Sequence, residues 1–545
     1  MRIRLLLAAA SFALASPAMA QVAPQTGEPT FSAEAVKAHV TFLADDLLEG
    51  RDAGTRGYDI AARYVATRFE ALGLKPAGPN GDWYQPVPLS EYSLDPAAPA
   101  SLTVGTKRFA NGEDAIMGAS PRYGTTAQRL EGGVVFAGYG LEADYAGLDV
   151  KGKFVAVLLG RPSGLKGAEA EAAEGEDKDR NAGARGALGV LYLLSPSDMN
   201  RISWSEVAEH MMASQIRWLG PNGAPGGVDT GIAINSYVKP AVATELFAGA
   251  PQSAEQVFAS AAAGQRPKGF ALQAKVVTER TSKVRMIRSP NVMAILPGSD
   301  PALAAEYVVL SAHLDHEGVD PSLPGPDKIY NGAMDNAAGV ATMLEVARAF
   351  SESGQRPKRS LLFVALTAEE KGLLGSEYLA RYPVVGSGKV VADVNLDMPV
   401  LLYDFTDVVA FGAEHSTLGP IVERAGAKMG VKLSPDPMPE ENLFVRSDHY
   451  SFVQAGVPSV FLVTGWANGG QEAFKSFLST HYHKVSDQVT LSFNWQAGAK
   501  FAKINYLIAR EIADGKDAPR WYEGNEYGER FAPGQPRAKK PAGTK

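Results

Sequence analysis

The spacing of apolar residues changes twice along the chain, and each change marks a different kind of element. Over residues 31–76 the positions Ala61, Tyr64, Val65, Phe69 and Leu72 recur at helical spacing, and Gly73 stands where a helix C-terminal cap belongs. Over residues 114–267 the pattern becomes short apolar runs such as GGVVFAGYG and GKFVAVLLG, separated by glycines and turn residues, with NAGARGALGVLYLL reading as a helix that passes into a strand. This predicts a separate, mainly β unit inserted into a larger domain. From Asn291 onward NVMAILPG, YVVLSAHLDH, SLLFVALTAEE, VVADVNLDM and VPSVFLV read as strands, and residues 339–350 and 495–512 as helices. Such alternation predicts an α/β fold, a mixed sheet flanked by helices on both faces. The larger domain is then discontinuous, residues 21–113 and 268–517, and the Pro, Gly and charge after Asp517 predict a disordered tail over 518–545.

The chain of 545 residues has room for two packed units. Its first twenty residues read as a signal peptide: Arg2 and Arg4 form a basic start, an apolar run follows, and Ala18 and Ala20 supply a small-residue cleavage site. Export to the periplasm or beyond the cell is the expectation. No later stretch approaches the roughly 20 apolar residues that span a bilayer, so no membrane insertion is expected. Removing Arg2 and Arg4 with the signal takes the formal charge from −7 to about −9, which gives no support to nucleic-acid binding. The chain has no cysteine, so any metal must be held by imidazole and carboxylate.

Candidate chemistry gathers in the C-terminal half, which holds six of the eight histidines. The strand YVVLSA delivers His313 and Asp315, SLLFVAL delivers Glu369 and Glu370, and VVADVNL delivers Asp397; the loops NGAMDNAAG and HYHKVSD add Asp335 and His483. In open α/β sheets ligands gather beyond the carboxyl ends of strands, so these side chains can share one crevice. Five such His, Asp and Glu groups suit two metals that share one bridging carboxylate, about 3.5–4 Å apart, able to activate a bridging water and clamp a developing oxyanion. Of the adjacent glutamates, one can bind metal while the other takes and returns a proton. Each residue alone also has a plain structural reading: a satisfied buried histidine, a helix N-terminus for the Glu pair, a turn for Asp335. Asp315 is read as the carboxylate that orients the His313 imidazole. Asp487 is read as an N-cap, and His316, Asp448 and His449 either as cleft residues or as a loop hydrogen-bond network.

At these residues the chain resembles the M28 family of zinc aminopeptidases. The motifs HxD, GAxDNxxG, AEExGLxGS, NxDM and YHxxxD occur in the family's order around His313, Asp335, Glu369, Asp397 and His483. FLADDLLEGRDAGTRGYDIAARY resembles the family's lead-in helix, and GYGLEADYAGLDVKGKFVAV is similar to its inserted protease-associated (PA) domain, which would occupy 114–267. The resemblance implies two Zn2+ per chain: His313 and Asp397 complete one site, Glu370 and His483 the other, and Asp335 bridges. It further implies Glu369 as general base and then acid, Tyr482 as donor to the tetrahedral oxyanion, a cis peptide between Asp335 and Asn336, and peptides with a free N-terminus as substrates. Met334 stands where the family often has Asp. Rival readings are an M28-type carboxypeptidase or dipeptidase, for which Arg446 is the nearest cation to meet a substrate carboxylate, a glutaminyl-cyclase-like acyltransferase with one zinc, and a non-catalytic binding protein on the same fold.

Overall fold

The computed structural model describes residues 28–541 apart from 122–125, 166–172, 174–176 and 227–229, so the expected signal peptide lies outside the described residues. The N-terminal segment is two helices rather than one. Helix α1 (Ala33–Leu43) starts at Ser32, whose hydroxyl accepts the Ala35 N–H, and α2 (Arg56–Ala71) starts at Thr55, whose hydroxyl accepts the Tyr58 N–H. Between them Glu49, Gly50 and Arg51 all adopt positive φ, which no helix accommodates. Gly73 has φ +70 and donates to the Glu70 carbonyl, closing α2.

The main sheet is mixed. In spatial order it runs through β1 (Tyr84–Leu94), β2 (Phe270–Leu296), then Ser360–Leu366, Glu306–His313, Lys389–Leu396, Ser459–Thr464 and Asp407–Phe411. In chain order after β2 these are β3 (Glu306–His313), β4 (Ser360–Leu366), β5 (Lys389–Leu396), β6 (Asp407–Phe411) and β7 (Ser459–Thr464). The strands β4, β3, β5 and β7 are mutually parallel neighbours. Alternate side chains of β4 face opposite cores: Leu361, Phe363 and Ala365 join α1, α2, α3 (Ala338–Glu352) and the long helix Trp495–Asp514, whereas Leu362, Val364 and Leu366 meet Leu379 and Phe452. Burial on both faces is why these strands read as unbroken apolar runs.

A second set of strands, from Ser101–Val104 to Ile234–Val238, packs around its own apolar clusters. Its pairing takes in Ser101–Val104 and Lys107–Ala110, before the expected boundary at residue 114. The strand β2 serves both sheets: Phe270–Thr281 pairs with Ala127–Phe136, and Ser282–Val292 pairs with β1. A second tie comes from Gln215–Trp218, which pairs with β1. The Trp218 indole donates to Glu377 at 2.8 Å and meets the rings of Tyr378 and Tyr382 edge-on.

The expectation of a disordered tail over 518–545 is corrected for its described part. Trp521 is buried, donates to the Gly456 carbonyl at 3.1 Å and bridges to Ser416, and Asn525 caps a short helix, Glu526–Phe531. Composition misled because Pro, Gly and charge surround Trp521, Tyr522, Tyr527 and Phe531, which supply enough apolar surface to dock. Among the described residues no helix is long and apolar enough to cross a membrane. Trp521→Ala is expected to cost about 3–5 kcal/mol of stability, measured as a lowered urea midpoint at unchanged m-value.

Candidate metal centre

The chain leaves β3 to build β4 on one side and then crosses to build β5 on the other. That reversal opens a crevice at the carboxyl ends of the three strands. His313 ends β3, Glu369 and Glu370 follow β4, and Asp397 follows β5. Asp335 lies in a tight turn before α3, and His483 follows the helix Gly470–Thr480. The turn is held close to the sheet: Asn336 donates to the Leu396 carbonyl and accepts from Gly339 and Met398, and a Cβ at Gly339 would collide with that same carbonyl. The Asp335–Asn336 peptide is cis, and Met334 is buried in the main core with its sulfur accepting the Leu401 N–H.

The structure brings His313, Asp335, Glu370, Asp397 and His483 together. His313 Nε2 lies 3.0 Å from Asp397 Oδ1 and 3.2 Å from Asp335 Oδ1. The other Asp335 oxygen, Oδ2, lies 3.3 Å from His483 Nε2, which is 3.1 Å from Glu370 Oε2. Asp335 thus turns one oxygen toward each half of the cluster. Tyr482 stacks on His483 with ring centroids 3.9 Å apart and lines the same cavity as Glu369.

Two expected roles are corrected. Asp315 contributes its main-chain carbonyl, not its carboxylate, to His313 Nδ1 at 3.2 Å. Its carboxylate turns instead to the segment that follows β4 and accepts the Glu369 and Glu370 N–H groups at 3.1 and 3.2 Å, fixing both glutamates through their backbone. Asp487 caps no following helix: its carboxylate accepts the Met334 and Asp335 N–H groups, orphan donors in the turn that carries Asp335.

Sequence reasoning missed two further parts, Ser447 and Arg51. Ser447 donates to Asp397 Oδ2 at 2.7 Å and itself receives the Asn395 amide, a relay with no signal in the sequence beyond its place before Asp448. Arg51 is fully buried and donates to the carbonyls of Leu43, Leu314, Asn331 and Gly332, lacing the α1–α2 connection to the loops that carry the cluster. Asp448 and His449 are also fully buried, His449 between the rings of Phe444 and Phe461.

Electrostatics decide what this arrangement demands. Burial acts to raise the Asp335 carboxyl, but His313 and His483 outweigh it and hold the group far below the carboxylate range. Burial acts to lower His483, and Asp335 and Glu370 instead push it up to about 10. Glu369 is driven well above its usual range by removal from water, opposed by His313 and reinforced by Glu370 and Asp397. Burial likewise pushes Asp448 up to about 7. Carboxylates crowded at low dielectric require cations, and the triads His313–Asp335–Asp397, His316–Asp335–Glu370 and Glu317–Glu370–His483 each hold their donor atoms within 4.8 Å. An all-nitrogen and oxygen donor set with a carboxylate shared between halves fits zinc.

Residues 291–509 match the sequence profile described as Peptidase family M28. A probable zinc metalloprotease of Pyrenophora teres f. teres is 39% identical over 108 residues, 20% of this chain and 22% of that protein. A probable glutamate carboxypeptidase, AMP1, of Arabidopsis thaliana is 26% identical over 390 residues, 64% of this chain and 49% of that protein. The chain therefore spans half or less of these curated relatives. Among solved structures, an aminopeptidase from Aneurinibacillus sp. strain AM-1 superposes with a TM-score of 0.48 at 20% identity, covering 89% of this chain and 94% of that one.

Asp487→Ala would leave the Met334 and Asp335 N–H groups without their acceptor. Zinc retention is expected to weaken about 10–100-fold, read from the chelator concentration that strips the metal.

Proposed function

We propose, from the match of residues 291–509 to peptidase family M28, that the protein is an exported zinc aminopeptidase that holds two zinc ions and hydrolyses the first peptide bond of its substrates. The observation that carries this reading is the shared Asp335, one oxygen toward His313 and the other toward His483, with Glu369 beside it on the wall of a cavity. His313 and Asp397 would hold one ion, Glu370 and His483 the other, and Asp335 both. Bound there, zinc supplies a Lewis acid for the scissile carbonyl and a water acidified for attack.

The chain's own residues account for the remainder. Glu369 takes the proton of the attacking water and returns it to the departing amine, a nitrogen that leaves poorly without it. Its proton affinity, raised by burial, suits a group that must hold a proton between the two transfers. Tyr482, whose hydroxyl burial keeps protonated, donates to the developing oxyanion.

The cavity, about 300 Å³, continues from the cluster into a wall formed by Phe411, Phe461, Val463, Phe474 and Leu478. A wall of that composition receives an apolar first side chain. With Asp335 and Asp397 committed to the ions, the charged side chains left on the cavity wall are Glu369, Glu441 and Arg446. Export rests on the N-terminal signal sequence and the PA-like reading of residues 114–267 on its motif; N-terminal sequencing of the secreted protein tests the first.

Arg446 supports a second reading, carboxypeptidase action, since it lines the cavity; its guanidinium lies 3.7 Å from Glu441 and is partly neutralised there. Paired substrates separate the two. Aminopeptidase action is expected to be abolished by N-acetylation and to survive C-terminal amidation, and the opposite pattern would favour the carboxypeptidase. Glu369→Gln is expected to lower kcat by about 10²–10⁴ while two zinc ions per chain remain by elemental analysis. Wild-type turnover in that variant would refute the mechanism, and one firmly bound ion in the wild type would favour a cyclase-like centre.

A further inference from the structure

His316 follows Asp315 on the loop that leaves β3, and it is fully buried. Its main-chain N–H donates to the Arg51 carbonyl. Its ring lies against Gly332, which has φ +56 and where a Cβ would come within 2.6 Å of both Cγ and Cδ2 of the imidazole. Only glycine leaves that space, so the loop carrying Asp335 is shaped around this ring.

The ring has one polar partner. Nδ1 lies 2.7 Å from Glu370 Oε1, and Nε2 is buried without a hydrogen-bond partner among the described residues. The Tyr330 and His483 rings meet it near edge-on, with centroids 6.5 and 5.8 Å away. Glu370 is consequently divided: Oε1 belongs to His316, and Oε2 faces His483 Nε2, the same nitrogen that faces Asp335 Oδ2.

We infer that His316 is a positioning residue for the second metal site, its Nδ1–H holding Glu370 Oε1 so that Glu370 offers the ion one oxygen, Oε2, on the side of His483 and Asp335. The inference rests on the two-ion reading above. Because His483 is about one-third exposed, on a residue at positive φ, the second site has one ligand open to solvent, and the fixed orientation of Glu370 supplies preorganisation on its buried side. A carboxylate held in one orientation loses less freedom when it binds a cation, so the effect falls on metal affinity and leaves the donor count unchanged. The competing geometry, His316 as a direct ligand with Asp335 and Glu370, makes a different claim about that count.

The test uses the mature full-length protein and two variants. His316→Ala removes the donor, and His316→Asn places an amide N–H where Nδ1 stood. Zinc is titrated against a chromophoric chelator to obtain two dissociation constants, and the cobalt-substituted forms are compared by visible absorption. The expected result is that His316→Ala weakens one zinc by about 10–100-fold and leaves the other within threefold, that His316→Asn recovers most of the loss, and that the cobalt bands of the Asn variant match wild type. Equal affinities in His316→Ala and wild type would overturn the inference. So would a failure of His316→Asn to recover affinity together with altered cobalt bands, which would make His316 a ligand. Failure of the two-ion reading appears in the wild type itself, as one dissociation constant; failure of this inference appears only in the variants. If His316→Ala does not fold, His316→Asn alone still decides, since matching bands and near-wild-type affinity support positioning and lost affinity with altered bands opposes it.

Discussion

The structure is organised around a collection of carboxyl groups that water cannot stabilise. Asp315, Asp335, Asp397, Asp448 and Asp487 are buried, with Glu369 and Glu370 beside them, in a crevice where their mutual repulsion would open the fold if nothing opposed it. Several devices oppose it at once. Main-chain N–H groups are turned onto Asp315 and Asp487, imidazoles onto Asp335, Asp397 and Glu370, and a hydroxyl onto Asp397. Arg51 contributes differently. Burial lowers its pKa to about 10, offset by Asp487, Asp315, Asp335 and Glu370, so it stays charged near neutrality while its N–H groups are committed to four carbonyls. One residue therefore supplies long-range charge to the crevice and ties together the backbone that forms its rim.

The same balance explains what could be read from the sequence. His313, Glu369, Glu370 and Asp397 each follow an apolar run long enough to be recognised as a buried strand, so their meeting at one sheet edge follows from topology. The function of Asp487 could not be read that way, because an acceptor for N–H groups 152 and 153 residues distant leaves no local mark. Asp315 was legible as a partner of the site but not in its manner of action, since periodicity fixes which side chains reach the crevice and not which atom faces which neighbour. Ser447 and His316 share that limit: small or ambiguous residues gain meaning only from the oxygen they address.

Segment-level reading failed for a related reason. The turn at Glu49–Arg51 interrupts an otherwise helical stretch because three consecutive residues take positive φ, a demand imposed by the loops beneath and only partly visible in the lone glycine. The final segment was hidden by composition, which averages over exactly the few aromatic positions that matter; Trp521 anchors it in spite of its surroundings.

The strand Phe270–Leu296 belongs to two sheets at once, and this limits how the chain can vary. Between Lys275 and Val292 its register is continuous against Ala127–Gly133 and then β1, whereas a bulge separates Leu272 from Lys275. A residue gained or lost within the continuous part would reverse the facing of every side chain on one side of the lesion and misalign one sheet against the other. Along this pairing the register shifts only at the bulge. The inserted unit, in which helices such as Pro240–Leu246 and Ala254–Ala262 accompany the strands, is thus coupled in register to the sheet that carries the crevice through one shared strand.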